Sequence, residues 1–227
     1  MSFSISMRQY LSINHLSTAA LFAKQCHNIE ENAGNGPTEE TILRMHRACA
    51  TSSIIVSAAF LEATINELFS DCTDNSAKSR VKKLHGHELM GSLWIKGIPR
   101  TASYSILEKY EIALELNKRT TFSTGEHPYQ DIKLLVELRN ALIHYEPETI
   151  TSQPITEAVK LHKFEKKFKG KFAINSLTGV GNPFYPDKLL GAGCAQWAVK
   201  SSVSFTDHFF QLLDIEPTYN HVRDQYL

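Results

Sequence analysis

The stretch Ile54-Ile55-Val56-Ser57-Ala58-Ala59-Phe60-Leu61-Glu62-Ala63-Thr64-Ile65-Asn66-Glu67-Leu68-Phe69 decides the fold. Plotted on a helix, its apolar residues fall on nearly every side, and a helix apolar all round must be surrounded by other helices. It therefore reads as the central rod of a bundle. Upstream, residues 32–37 hold two Gly and a Pro and break the chain. Thr38 can cap the rod's first turn, and Glu39 and Glu40 place negative charge at the positive end of the macrodipole. The rod is thus expected to run from about residue 39 to 71. Glu62 and Asn66 share one face of it at i and i+4, so they are either satisfied by partners in the core or functional.

Outward from the rod, the chain reads as helix after helix. Leu16, Ala19, Ala20 and Ala23 recur at helical spacing within residues 12–31. Ile106, Leu107, Tyr110 and Leu114 stripe a helix over 103–117. Pro128 suits the first turn of a helix through Ile132, Leu135, Val136, Leu142 and Ile143, which must end near Tyr145 because Pro147 disfavours helical geometry at Glu146. Pro154 starts another, running to about Phe168. A last amphipathic helix spans about 195–213, after a Gly/Pro/Asn-rich loop over 169–193. With no repeat or linker, these elements predict one all-α domain over 1–227. It is an elaborated four-helix bundle, core about 39–213, with an N-terminal helix and peripheral helices added.

Composition narrows the function. Lys plus Arg and Asp plus Glu both number 24, so the strong basic imbalance of many nucleic-acid binders is absent, and any RNA affinity must come from local clusters. Cys26, Cys49, Cys72 and Cys194 form no CxxC pair and fit small buried thiols better than a zinc knuckle or redox motif. There is no glycine fingerprint for nucleotides and no HExxH, so neither cofactor nor metal is expected. No leader and no run of about 18 apolar residues stands out, and the expectation is a cytoplasmic protein without membrane association.

The chemistry concentrates in Arg139-Asn140-Ala141-Leu142-Ile143-His144-Tyr145. A loose pattern of Arg, four to six residues, then His occurs three times: Arg8 before His15, Arg80 before His85 and His87, and Arg139 before His144. Position separates them. Arg139 is in register with Ile132, Leu135, Val136 and Ile143, and a guanidinium on an apolar face is costly unless paired or set at a working surface. His144 lies about 140 degrees further round the helix, at its Pro-terminated end, so a groove against another helix can collect both side chains. An imidazole beside a permanent cation can move a proton next to a phosphate. The same spacing also suits a structural role, with Arg139 paired to Glu62 or Glu137 and His144 ending the helix.

Leu138-Arg139-Asn140-Ala141-Leu142-Ile143-His144-Tyr145, followed by Pro147, resembles the signature of the HEPN superfamily of helical "higher eukaryotes and prokaryotes nucleotide-binding" domains. Ala59–Phe69 is similar to the long central helix of that family, and Trp197-Ala198-Val199 to the closing helix of some bacterial members. The resemblance implies a metal-independent endoribonuclease acting as a homodimer, with both Arg-His pairs in one cleft, or a relative that binds RNA, nucleotide or protein without cutting. It implies His144 as proton carrier, Arg139 as the phosphate clamp and Asn140 as an orienting group, with RNA as partner and a toxin-antitoxin or phage-defence setting with a cognate antitoxin or regulator. Glu62, from the neighbouring helix, is expected to hold Arg139, with Tyr145 as a second supporting residue. Some HEPN toxins carry a Tyr two residues after the His, which their antitoxin modifies. Here that place is Glu146.

Lys160, Lys163, Lys166 and Lys167 form a basic stripe that could follow an RNA backbone, although a solvated helix face reads the same way. Phe164, Phe168 and Phe172 fit core better than base-stacking platforms. His85 and His87 lack a third ligand at suitable spacing for a metal, and Arg8 with His15 reads as surface.

Overall fold

The structure is a computed structural model and describes residues 8–33, 38–74, 79–100, 103–147, 161–179 and 181–225. Its α-helices are α1 (Leu11–Asn32), α2 (Glu40–Asp71), α3 (His87–Ile95), α4 (Ile106–Leu116), α5 (Tyr129–Ile143), α6 (Lys163–Phe168) and α7 (Ala192–Leu213). No strand occurs among the described residues. The protein is all-α, a bundle built round α2.

At 1.5 Å per residue, α2 is roughly 48 Å long. From Thr51 to Ser70 none of its residues is exposed, as expected of a rod covered on all sides. α1, α3, α4, α5 and α7 pack against it. By length and composition α2 could also cross a membrane, but 56% of its most apolar window is buried inside the protein. Packing against other helices accounts for that apolarity.

α1 is part of the core, where the sequence suggested an added helix. Leu16, Ala19, Ala23 and Cys26 are buried, and α1 packs on both α2 and α7. Small residues along one face let the backbones approach. Ser53 of α2 donates from its hydroxyl to the Ala19 carbonyl at 2.9 Å, which satisfies a polar group in that tight seam.

Local signals set several helix ends. Ser105 and Glu108 form a reciprocal capping box at the start of α4, satisfying two otherwise orphaned N–H groups. His162 caps α6, its Nδ1 accepting from Phe164 N–H at 3.1 Å. The helix predicted to run from Pro154 to Phe168 is not continuous: Leu161 and His162 are non-helical and α6 starts after its His162 cap, while 148–160 lie outside the described residues. α7 begins three residues before the predicted 195, because its first N–H, on Ala192, donates to Glu30 Oε1 of α1 at 2.7 Å. A cap supplied from a distant helix leaves no local mark in sequence.

Candidate functional site

α5 carries the motif. Its fully buried residues are Asp131, Ile132, Leu135 and Leu138, and Arg139 stands one step round from that stripe, half-buried. This corrects the expected register: Val136 is only partly buried and Ile143 is 49% exposed, so 136, 139 and 143 trace the border of the buried face. Asn140 and His144 are exposed. His144 ends the helix, its backbone N–H donating to Asn140 O at 2.8 Å.

Both carboxylates that sequence offered to Arg139 are taken by lysines. Glu62 binds the Lys109 ammonium, which also reaches Asn66 Oδ1 at 3.4 Å. Glu62 therefore does not hold Arg139. The physical reason is that Lys109, 2% exposed, is the cation that most needs a counter-charge. Glu137 accepts from Lys167 at 2.6 Å through both oxygens. Arg139 makes no hydrogen bond or ion pair among the described residues.

The two other loose matches differ. Arg8 pairs with the buried Asp71 at 3.1 Å and Arg80 with its second oxygen at 3.2 Å. Arg80 also donates to the Glu216 carbonyl and lies over the Phe210 ring. Arg8 is exposed, as its reading as surface expects, and it also ties the segment before α1 to α2. His87 opens α3, and neither His85 nor His87 belongs to a metal-ligand cluster among the described residues.

Around the motif's C-terminal end the structure assembles an aromatic floor that sequence did not announce. Tyr185, from the 169–193 loop, is buried and donates to Ala141 O at 3.3 Å. His162 stacks on Tyr185 at 5.2 Å, and Tyr145 lies 6.5 Å from the same ring. Phe164 and Phe168 are buried beneath, so they are core, as their spacing predicts. The loop therefore fixes the last turn of α5. Of the basic stripe, Lys160 lies outside the described residues. Lys163 and Lys166 are exposed, with the Lys163 ammonium over the Phe164 ring. Lys167 docks α6 on α5 through Glu137.

At the other end of α5, Asp131 accepts from Lys171 at 2.7 Å and bonds His127 Nδ1 at 2.7 Å. Burial pushes the Asp131 pKa up, but the bonds from Lys171 and His127 outweigh it and hold the carboxyl below its usual range. His127 Nε2 in turn faces Ser204 Oγ at 3.3 Å. The order hydroxyl, imidazole, carboxylate matches a hydrolase relay, but Ser204 lies deep within α7, where backbone N–H groups are spent on the helix and none is free to bind an oxyanion. Thiol chemistry is no better placed, since burial pushes Cys26 and Cys72 up to about 12, far from a reactive thiolate at neutral pH.

The grooves described on the surface lie elsewhere. One, of about 550 Å³, runs between α1 and α7 past Leu21, Lys24, His27 and Lys200. Another, of about 490 Å³, borders His127, Ser204 and His208. Arg139 and His144 line none of those described. Comparison with known protein families, with curated proteins and with solved structures finds no match to this chain.

Proposed function

We propose that this protein is a metal-independent endoribonuclease of HEPN type, whose cleft forms when two copies bring their α5 ends together. One observation carries the reading: Arg139 is half-buried and unpaired among the described residues, five positions before the exposed His144 on the same helix. A guanidinium left without a counter-charge at the edge of a core is poised for an anion from outside. The exposed Ile143 and Tyr145 beside it give the same surface apolar area for a second copy to cover.

In this reading one His144 takes the proton of a ribose 2′-hydroxyl as its oxygen attacks the adjacent phosphorus. The partner copy's imidazolium protonates the departing 5′ oxygen. The products are a 2′,3′-cyclic phosphate and a 5′-hydroxyl, with no net proton change. Arg139 stabilises the charge on the equatorial oxygens through its planar fork, and Asn140 orients the phosphate. The neutral overall charge favours, as second reading, a module that holds RNA without cutting it.

The test is incubation of the protein with a mixed RNA pool, with EDTA added only for the assay, beside Arg139→Ala and His144→Ala. Cleavage by the wild type is expected, with 5′-hydroxyl ends and a loss of about 10²–10⁴-fold in each variant, the range of a general acid–base group. Activity surviving in both variants removes the site. RNA retained but uncut by wild type, with retention lost in Arg139→Ala, selects the binding reading. Sedimentation of the wild type should give a dimer at micromolar concentration, and a monomer there would overturn the two-copy cleft.

A further inference from the structure

We propose that α1 and α2 hold a zinc ion between Cys26, Glu30 and His46, a structural site that uses no residue of the α5 motif. The three ligand atoms lie within 4.8 Å of one another, with Cys26 and His46 buried. A thiol sulfur, an imidazole nitrogen and a carboxylate oxygen are zinc's own donor set.

The helical spacing places these donors together. Cys26 and Glu30 are i and i+4 on α1, and His46 and Cys49 are i and i+3 on α2, so each pair shares a face. α1 and α2 pack along their length, which turns the two faces toward each other. Cys49, one turn beyond His46, is the donor that this spacing supplies for the fourth position. Its thiol now lies 3.7 Å from Gln25 Oε1, next to Cys26 in sequence. The four residues would make a closed four-coordinate set, the pattern of a structural site rather than a catalytic one.

The carboxylate is already oriented by outer partners, as metal ligands are. Glu30 Oε1 accepts from Ala192 N–H at 2.7 Å and Oε2 from Ser176 Oγ at 3.2 Å. Gly191 makes room for it, since a Cβ there would stand 2.8 Å from Glu30 Oε1. At present His46 Nε2 bonds Glu30 Oε1 at 2.7 Å. The ion would take the place of that bond, with His46 carrying its ring proton on Nδ1 so that the Nε2 lone pair is free, and with the Cys26 and Cys49 thiols releasing their protons to solvent as the metal–sulfur bonds form.

The test is metal content, independent of any cleavage assay. Full-length protein, saturated with zinc and dialysed, should retain one zinc per chain. Replacement by cobalt should give the visible bands of a tetrahedral ion together with thiolate-to-cobalt charge transfer in the near ultraviolet. Cys26→Ser should weaken cobalt binding by roughly 100-fold or more, above the loss typical of an outer-shell partner. Cys72→Ser, whose thiol sits at the far end of α2, should bind as wild type does. Cys26→Ser is close in shape to the native residue, and circular dichroism of the metal-free variant checks its fold. Wild-type protein that keeps no zinc and takes up no cobalt overturns the site. So does cobalt uptake unchanged in both Cys26→Ser and His46→Gln.

Discussion

Asp71 binds two arginines, and Glu62 and Glu137 each bind a lysine. Charge is thus settled locally at these three carboxylates, and Arg139 takes no part in it. The Glu62–Lys109 pair has a measurable cost. Glu62→Ala strands a buried ammonium and should lower stability by ~3 kcal/mol, whereas Lys109→Met combined with Glu62→Leu should fall close to wild type. Urea unfolding of the single and double variants measures both, and a near-neutral Glu62→Ala would contradict the burial of Lys109. Asp131 sets a pH dependence. Its native pKa lies below the ordinary carboxylate value, so its stabilisation is present above roughly pH 4 and is lost as pH falls through the lowered native value. Asp131→Asn should flatten that acid limb, and thermal midpoints followed downward from pH 5 would reveal it. These pairings explain why the site was only partly legible. The spelling from Arg139 to His144 and the end of its helix could be read from residues in sequence. That Lys109 would claim Glu62 could not, because it depends on where two helices cross.

The helices themselves were largely readable. The rod over 39–71 is found as Glu40–Asp71, and Pro128 and Pro147 bracket α5 as their backbone chemistry requires. What sequence reading missed were contacts between elements: the buried role of α1, the early start of α7, and Tyr185 reaching from a loop to the last turn of α5. The stripe on α1 is periodic but does not name its partner helices, and the other two obey no period and use no local cap. The start of α7 also depends on close backbone approach. A Cβ at Gly193 would lie 2.2 Å from the Ala173 carbonyl oxygen, and backbone cannot swing aside as a side chain can. Gly193→Ala should therefore destabilise the protein by about 1–3 kcal/mol through overpacking, although alanine is the better helix former. A thermal midpoint equal to or above wild type would refute the close seating of 173–175 on α7.

For the molecule as a whole, Asn140 and His144 are exposed on one copy, and on the proposed reading a second copy would enclose them. The two proposed sites share no residue, one at the end of α5 and the other in the α1–α2 seam, although the 175–187 segment touches both. The Glu30 carboxylate joins α1, α2, the 173–176 segment and the first turn of α7 at one point. During synthesis this junction cannot close until α7 has emerged, long after the motif on α5 has left the ribosome. The partners meet late, across sequence separations of 146 and 162 residues, which is the kind of contact that slows folding. A ribosome-bound fragment ending before residue 192 would carry every residue of the motif and still lack the junction that anchors its bundle. On the proposed reading, cleavage by a growing chain would then await the synthesis of α7.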